Sequence, residues 1–238
     1  MRQGAEAVTI WPLIVDTYAG DLNGKTDIAA IARAGAPWCG WVGKASQGDY
    51  YSAPSWFRGC WQDATHAAST VDFWRGAYHY VDFQTDPTKQ ADFYLDAVGE
   101  PNWDDPLLLP PIVDVERGGQ RLANPTKQQV VDCVSAVVTR LRGATGRAPI
   151  LYGGSLLRDL GIVEHMGCAW LWIARYAAKL PVDAYASIGW TLDQVFAWQY
   201  AGDGESYLAG YPKLSPIGRT DISSVLVGNG STKGLRSL

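Results

Sequence analysis

The sequence predicts an α/β fold, a single irregular TIM-like β/α barrel of five β/α units followed by three strands. Three observations carry that reading. Eight short apolar runs rich in β-branched and aromatic residues are spread along 238 residues, and helical periodicity separates the first five. No glycine-rich phosphate fingerprint follows the first run, which argues against an open dinucleotide-binding sheet. Strands alternating with helices pair in parallel, and eight of them in this length close on themselves.

Taken in order, Trp11–Asp16 reads as a continuous apolar strand ending in an acid, and Gly20 and Gly24 signal a turn. Asp27–Ala34 reads as a short helix closed by Gly35. Trp38–Lys44 is the second strand, and Lys44–Tyr51 reads as a polar, glycine-containing loop. Pro54 opens a helix that runs to about Ser69, since the missing N–H of proline is harmless in the first turn. Trp74–Tyr80 is the third strand. Pro87–Val98 is helical, with Ala91, Tyr94, Leu95 and Val98 on one face. Ile112–Glu116 is the fourth strand. Asn124 reads as an N-cap with Pro125 at the first helical position, and Val130, Val134, Val137, Val138 and Leu141 continue the stripe until Gly143. Ala148–Tyr152 is the fifth strand and Ser155–Leu160 a short helix. The helical signal then weakens, and Trp170–Ala174, Val195–Tyr200 and Ile217–Asp221 read as three strands joined mainly by loops.

Residues 1–10 read as an N-terminal extension, 11–228 as the barrel and 229–238 as a tail. With 47% apolar residues the chain can bury one sizeable core. The net charge is −4 with no basic run, so nucleic-acid binding is not expected. No window is long and apolar enough to span a bilayer, and the first residues lack the pattern of a secretory signal. The four cysteines, Cys39, Cys60, Cys133 and Cys168, are too widely spaced for a metal site and read as buried free thiols. Eleven Trp and twelve Tyr exceed what a core requires, and such rings commonly hold the apolar faces of sugars or bases.

In a β/α barrel the chemistry sits at the C-terminal ends of the strands. Those ends carry Asp16, Lys44–Gln47, Tyr78–Tyr80, Asp114 with Glu116, Tyr152, Trp172–Tyr176, Gln199 and Asp221. Asp114 and Glu116 stand i, i+2, so on a strand both point to one face. Burying two neighbouring carboxylates is costly, and a fold that does so usually uses them. The alternative is that both are strand-end acids solvated beside Gly118-Gly119.

The runs Gly76-Ala77-Tyr78-His79-Tyr80, Gln90-Ala91 with Phe93-Tyr94-Leu95, Asp114-Val115-Glu116, Trp172-Ile173-Ala174-Arg175-Tyr176, Trp198-Gln199-Tyr200 and finally Asp221 resemble glycoside hydrolase family 25, the Chalaropsis-type N-acetylmuramidases of bacteria and phages. The resemblance spans about Leu13 to Leu226. It implies that Glu116 is the catalytic acid, Asp114 its partner carboxylate, and Asp16 and Asp221 the acids of the first and last strands. It also implies that Tyr78, Tyr176 and Gln199 line the saccharide groove, where Trp172, Tyr152 and Lys44 are further candidates. No cofactor and no metal are expected. The chain departs from the family pattern at Gln47, where an acid is usual, and after Asp16, where it continues Thr17-Tyr18-Ala19-Gly20.

The implied reaction is cleavage of the β-1,4 bond between N-acetylmuramic acid and N-acetylglucosamine, with the 2-acetamido oxygen as internal nucleophile. Peptidoglycan strands are then the partner, and without a secretory signal the setting is a phage lysin made in the host cytoplasm or a virion component associated with tail proteins. Two rivals are a binding-only module on the same barrel and a hydrolase that holds Mg²⁺ or Ca²⁺ on the four acids. Among single residues, His79 reads equally as a hydrogen-bonded strand histidine or a catalytic one. His66 and His165 read as surface, Lys44 also as a neutraliser of the acids, and Trp11, Trp74 and Trp198 as packing.

Overall fold

A computed structural model describes residues 11–226, apart from 203 and 207. The expected extension, 1–10, and tail, 229–238, lie outside the described residues. The strands are β1 (Leu13–Thr17), β2 (Trp38–Gln47), β3 (Tyr51–Ser52), β4 (Trp74–Tyr80), β5 (Ile112–Val115), β6 (Ile150–Gly153), β7 (Trp170–Ala174), β8 (Val195–Gly202), β9 (Glu205–Ser206) and β10 (Asp221–Val225). Eight of them close in the order β1-β10-β8-β7-β6-β5-β4-β2, with β2 returning to β1, so the cylinder has no open edge. β3 and β9 are short additions that turn back on β2 and β8. The helices are α1 (Ile28–Ala34), α2 (Pro54–Ala68), α3 (Pro87–Val98), α4 (Lys127–Thr145), α5 (Ser155–Asp159) and α6 (Val182–Ala186). The expected five β/α units and three trailing strands are present, and the short α6 adds a turn of helix between β7 and β8.

Local chemistry sets the helix starts. Asp27 accepts the N–H of Ala30 at 2.9 Å, and Asp86 accepts those of Thr88 and Lys89, each also at 2.9 Å. α3 turns Ala91, Tyr94 and Val98 inward, and α4 does the same with Val130, Val134, Val137, Val138 and Leu141. α4 does not begin at Asn124-Pro125, as the sequence suggested. Its N-cap is Thr126, whose side chain and that of Gln129 form a capping box, which satisfies donors that an Asn124 cap would leave open. It also passes Gly143 and ends against Gly146, whose φ of +72° suits the left-handed cap.

Two strand expectations need correction. β2 does not end at Lys44 but continues to Gln47, because a register shift between Lys44 and Ser46 lets it stay paired with β4 while Gln47 turns into a hairpin with Tyr51. The last strand is not Ile217–Asp221. Ser215 and Gly218 exchange backbone hydrogen bonds, and Gly218 has φ +114°, so that stretch is a turn and the strand starts at Asp221. β10 is antiparallel to both β1 and β8, whereas the other barrel pairings are parallel. Its N-terminal end therefore lies beside the C-terminal ends of its neighbours, and Asp221 pairs directly with Asp16.

The period of two along each strand then builds the interior. Leu13, Val15, Val113, Leu151, Leu171 and Ile173 face outward into the layer shared with the helices. Ile14, Val42, Trp74, Ile112, Ile150, Trp172, Ala197 and Val225 face inward and fill the cylinder. Further toward the mouth on the same inward phase come Asp16, Lys44, Tyr78, Asp114, Tyr152 and Gln199. On the reversed β10, Asp221 occupies the same level above Ser223 and Val225. The barrel is thus oily in its body and acidic at one end.

Candidate active site

Asp16, Tyr78, Asp114, Glu116, Tyr152, Trp172 and Asp221 line one pit at that end, floored by Val42 and Ile112. Its volume is about 60 Å³. All four acids named from the sequence meet there. Tyr78, Tyr152 and Trp172 meet them. Trp172 is fixed by its indole N–H, which donates to Ser223 Oγ at 2.8 Å, and its ring stands edge-on to Tyr152 at 5.7 Å.

Three of the acids hold their protons more tightly than ordinary carboxyls. Burial is the main cause for each. Asp16 is raised well above the usual carboxylate range by burial and then by Asp221, Asp21 and Glu116, and Asp114 well above it by burial and then by Glu116. For Asp114 the Lys44 ammonium pulls the other way. Glu116 is raised by burial, against the opposing pull of Lys44 and of a hydrogen bond from Tyr152. Neither Asp16 Oδ2 nor Asp114 Oδ1 has a protein hydrogen-bond partner, although both are buried. Tyr78 and Tyr152 are pushed well above the normal phenol range by burial and the surrounding acids, so both stay protonated donors.

Lys44, Gln199 and Tyr176 stand around this pit and do not line it. Lys44 Nζ donates to Gln47 Oε1 at 2.8 Å and sits 4.5 Å over the ring of Tyr80 and 5.4 Å over that of Tyr51. Gln47 Nε2 donates in turn to Gly119 O at 3.1 Å, in the loop that follows Glu116. Gln199 accepts the Tyr152 hydroxyl on Oε1 and donates from Nε2 to the Tyr176 hydroxyl at 3.4 Å. That bond bears on Glu116. A phenol has one proton: given to Glu116 it favours the carboxylate, but given to Gln199 it leaves the phenol oxygen to accept from a protonated Glu116. Gln199→Leu is therefore expected to free the hydroxyl for the carboxylate, lower the Glu116 pKa and move the alkaline limb of a rate–pH profile to lower pH. A profile unmoved in that variant counts against this coupling.

His79 lies outside the site. Its ring points away from the mouth, between Ser46 Oγ at 2.8 Å and Gln90 Oε1 at 3.0 Å, and burial lowers its pKa to about 4. His165 is a loop residue stacked on Trp190 at 3.8 Å, and His66 sits near the end of α2. The four cysteines are free and buried, and Cys39 is raised to about 12 by that burial. The sequence reading did not single out Tyr51 as a partner of Lys44, nor Asp21 as a charge acting on Asp16. Both belong to rim segments whose approach to the mouth leaves no periodic signal.

Among known proteins, the match to Glycosyl hydrolases family 25 covers residues 17–207. It begins one residue after Asp16 and stops short of Asp221, so closure of the barrel is what joins those two acids to the rest. An N,O-diacetylmuramidase of Arthroderma benhamiae is 28% identical over 149 residues, 58% of this chain and 60% of that protein. The uncharacterized protein YegX of Escherichia coli O6:H1 is 27% identical over 131 residues, 55% of this chain but only 43% of YegX, so the chain aligns with less than half of that relative. Among solved structures, a bacterial lysozyme from Streptomyces coelicolor superposes with a TM-score of 0.73 at 19% identity, covering 95% of this chain and 96% of that one. A muramidase from Trichobolus zukalii gives 0.71 at 22% identity, covering 95% and 98%. At these identities the superpositions establish the fold, and the family match, which takes in Asp114 and Glu116, establishes that the chain belongs to glycosyl hydrolases family 25.

Proposed function

We propose that this chain is a muramidase that cleaves the β-1,4 bond between N-acetylmuramic acid and N-acetylglucosamine in peptidoglycan. The observation that carries the reading is the pit itself, where buried carboxyls with raised pKa values share one space and the Lys44 ammonium stands at its edge. Glycoside cleavage needs one protonated acid for the leaving oxygen and negative charge beside an oxocarbenium-like transition state. Glu116 supplies the proton. The 2-acetamido oxygen of the muramic acid attacks C1 as the C1–O4 bond breaks, and Asp114 holds the acetamido N–H and stabilises its developing positive charge. Water, giving its proton to Glu116, then opens the cyclic intermediate and returns the 2-acetamido group. Asp16 and Asp221 meet in the same pit, Tyr78 and Trp172 wall it, and Tyr176, 48% exposed, offers its ring to the sugars.

Rate against pH is expected to be bell-shaped and highest on the acidic side of neutral, where the neighbouring Glu116 and Asp114 together hold one proton, which the reaction takes from Glu116. Activity is expected to survive exhaustive EDTA treatment and to gain nothing from added Mg²⁺ or Ca²⁺. Release of soluble fragments from purified walls, measured across pH with and without chelator, tests both. Chelator-sensitive release would transfer the acids to a metal-dependent hydrolase.

A further inference from the structure

We propose that a basic groove on the rim of the barrel mouth binds the acidic peptides that hang from the glycan, so that the protein reads the peptide as well as the sugar. The inference rests on peptidoglycan being the substrate. The groove, about 390 Å³, lies between the segments that follow β6 and β7 and is lined by Arg158, Arg175, Lys179, Leu180, Val182 and Asp183, among others. Three cations face one acid there, in a chain whose net charge is −4. Arg158 is shared with Asp159 at 3.5 Å, a carboxylate that also meets Arg117 at 3.5 Å. Among the described residues no carboxylate lies within ion-pair distance of Arg175 or Lys179, and both are exposed.

The groove is anchored to the site. Arg175 N–H donates to Gln199 O at 3.1 Å, and Arg175 O accepts the Trp198 indole N–H at 2.6 Å, so the base of its side chain is held. The next residue, Tyr176, reaches Gln199 and through it Tyr152 in the pit. The two loops touch where they leave the barrel: a Cβ on Gly154 would stand 2.5 Å from Ala174 O. Beside the cations lies an apolar wall in which Val182 is 52% exposed.

That pairing of cations and small aliphatic surface suits a short peptide with carboxylates and alanine methyls. A muramyl lactyl group carries such a peptide close to the bond being cut. A phosphodiester wall polymer shares the anionic chemistry, and the test separates it from the peptide.

The test uses the full chain and the double variant Arg175→Gln/Lys179→Gln on three substrates. They are walls stripped of phosphate polymers with peptides intact, the same walls after amidase removal of the peptides, and walls that keep their phosphate polymers. The variant is expected to raise KM about five- to tenfold on peptide-bearing walls with kcat little changed, and to match wild type on bare glycan. The charge-preserving swap Arg175→Lys/Lys179→Arg should keep the wild-type KM. An equal change on walls with and without peptides, no change on any substrate, or a change confined to phosphate-bearing walls overturns the proposal. If the wild-type chain cuts none of the three, the muramidase reading has failed instead. The groove is then judged by calorimetric titration with the free acidic stem peptide, where binding lost in the double variant supports it and no binding to wild type overturns it.

Discussion

Glu116→Gln is expected to remove nearly all turnover on peptidoglycan while leaving the fold and glycan binding nearly intact. The amide keeps the shape of the side chain and a hydrogen-bonding capacity toward Tyr152, but it has no proton to give the leaving oxygen. General acid catalysis contributes about 10²–10⁴ in rate, and a residue that also serves as the base in the second step loses both contributions. At about 1.4 kcal/mol per tenfold this is a barrier increase of roughly 3–5 kcal/mol from the first contribution alone. Initial rates of reducing-end formation at substrate saturation, alongside a binding isotherm for a glycan fragment, check it. Substantial residual hydrolysis would remove Glu116 from the role.

Asp114→Asn is expected to slow the reaction by about 10²–10⁴ and to change the stability of the protein in a pH-dependent way. The carboxyl is buried, and its pKa is raised well above the usual value first by that burial and then by Glu116. A folded-state pKa above the unfolded one means that the native state binds the proton more tightly, so stability falls as pH rises from the unfolded pKa through the folded one. The penalty is fully present above the folded pKa and absent below the unfolded pKa. The variant should therefore melt higher than wild type at neutral pH, and the gap should close in acid. Scanning calorimetry at several pH values reads the sign. A variant that melts lower than wild type at neutral pH would show that Asp114 stabilises the fold, contrary to a site held against its own electrostatic cost.

What the sequence made legible followed from short-range rules. The bounds of β4, α3 and β7 could be read directly, because Pro87 and Gly99 delimit α3 and the two strands are short aromatic-rich runs. The acids could be placed because Asp16 and Asp114 with Glu116 each end an apolar run, and the C-terminal strand ends of such a barrel converge on one mouth. Long-range pairing was not legible. That β10 runs antiparallel depends on its lying between β1 and β8, and no local pattern in Asp221–Val225 states a direction. The resemblance to the family supplied Asp221 as a site residue although the strand drawn around it was misplaced by several residues. Lys44 was expected as a groove residue, yet its geometry depends on Gln47 and on the hairpin that brings Tyr51 beneath it. Reading Gln47 as part of a solvated loop hid that contact.

The most direct measurement is mass analysis of the fragments released from purified peptidoglycan by the wild-type chain and by Glu116→Gln. Soluble muropeptides with new reducing ends at N-acetylmuramic acid are expected from the wild type, and almost none from the variant. Free peptides, reducing ends at N-acetylglucosamine, or equal release by the two proteins would contradict the account.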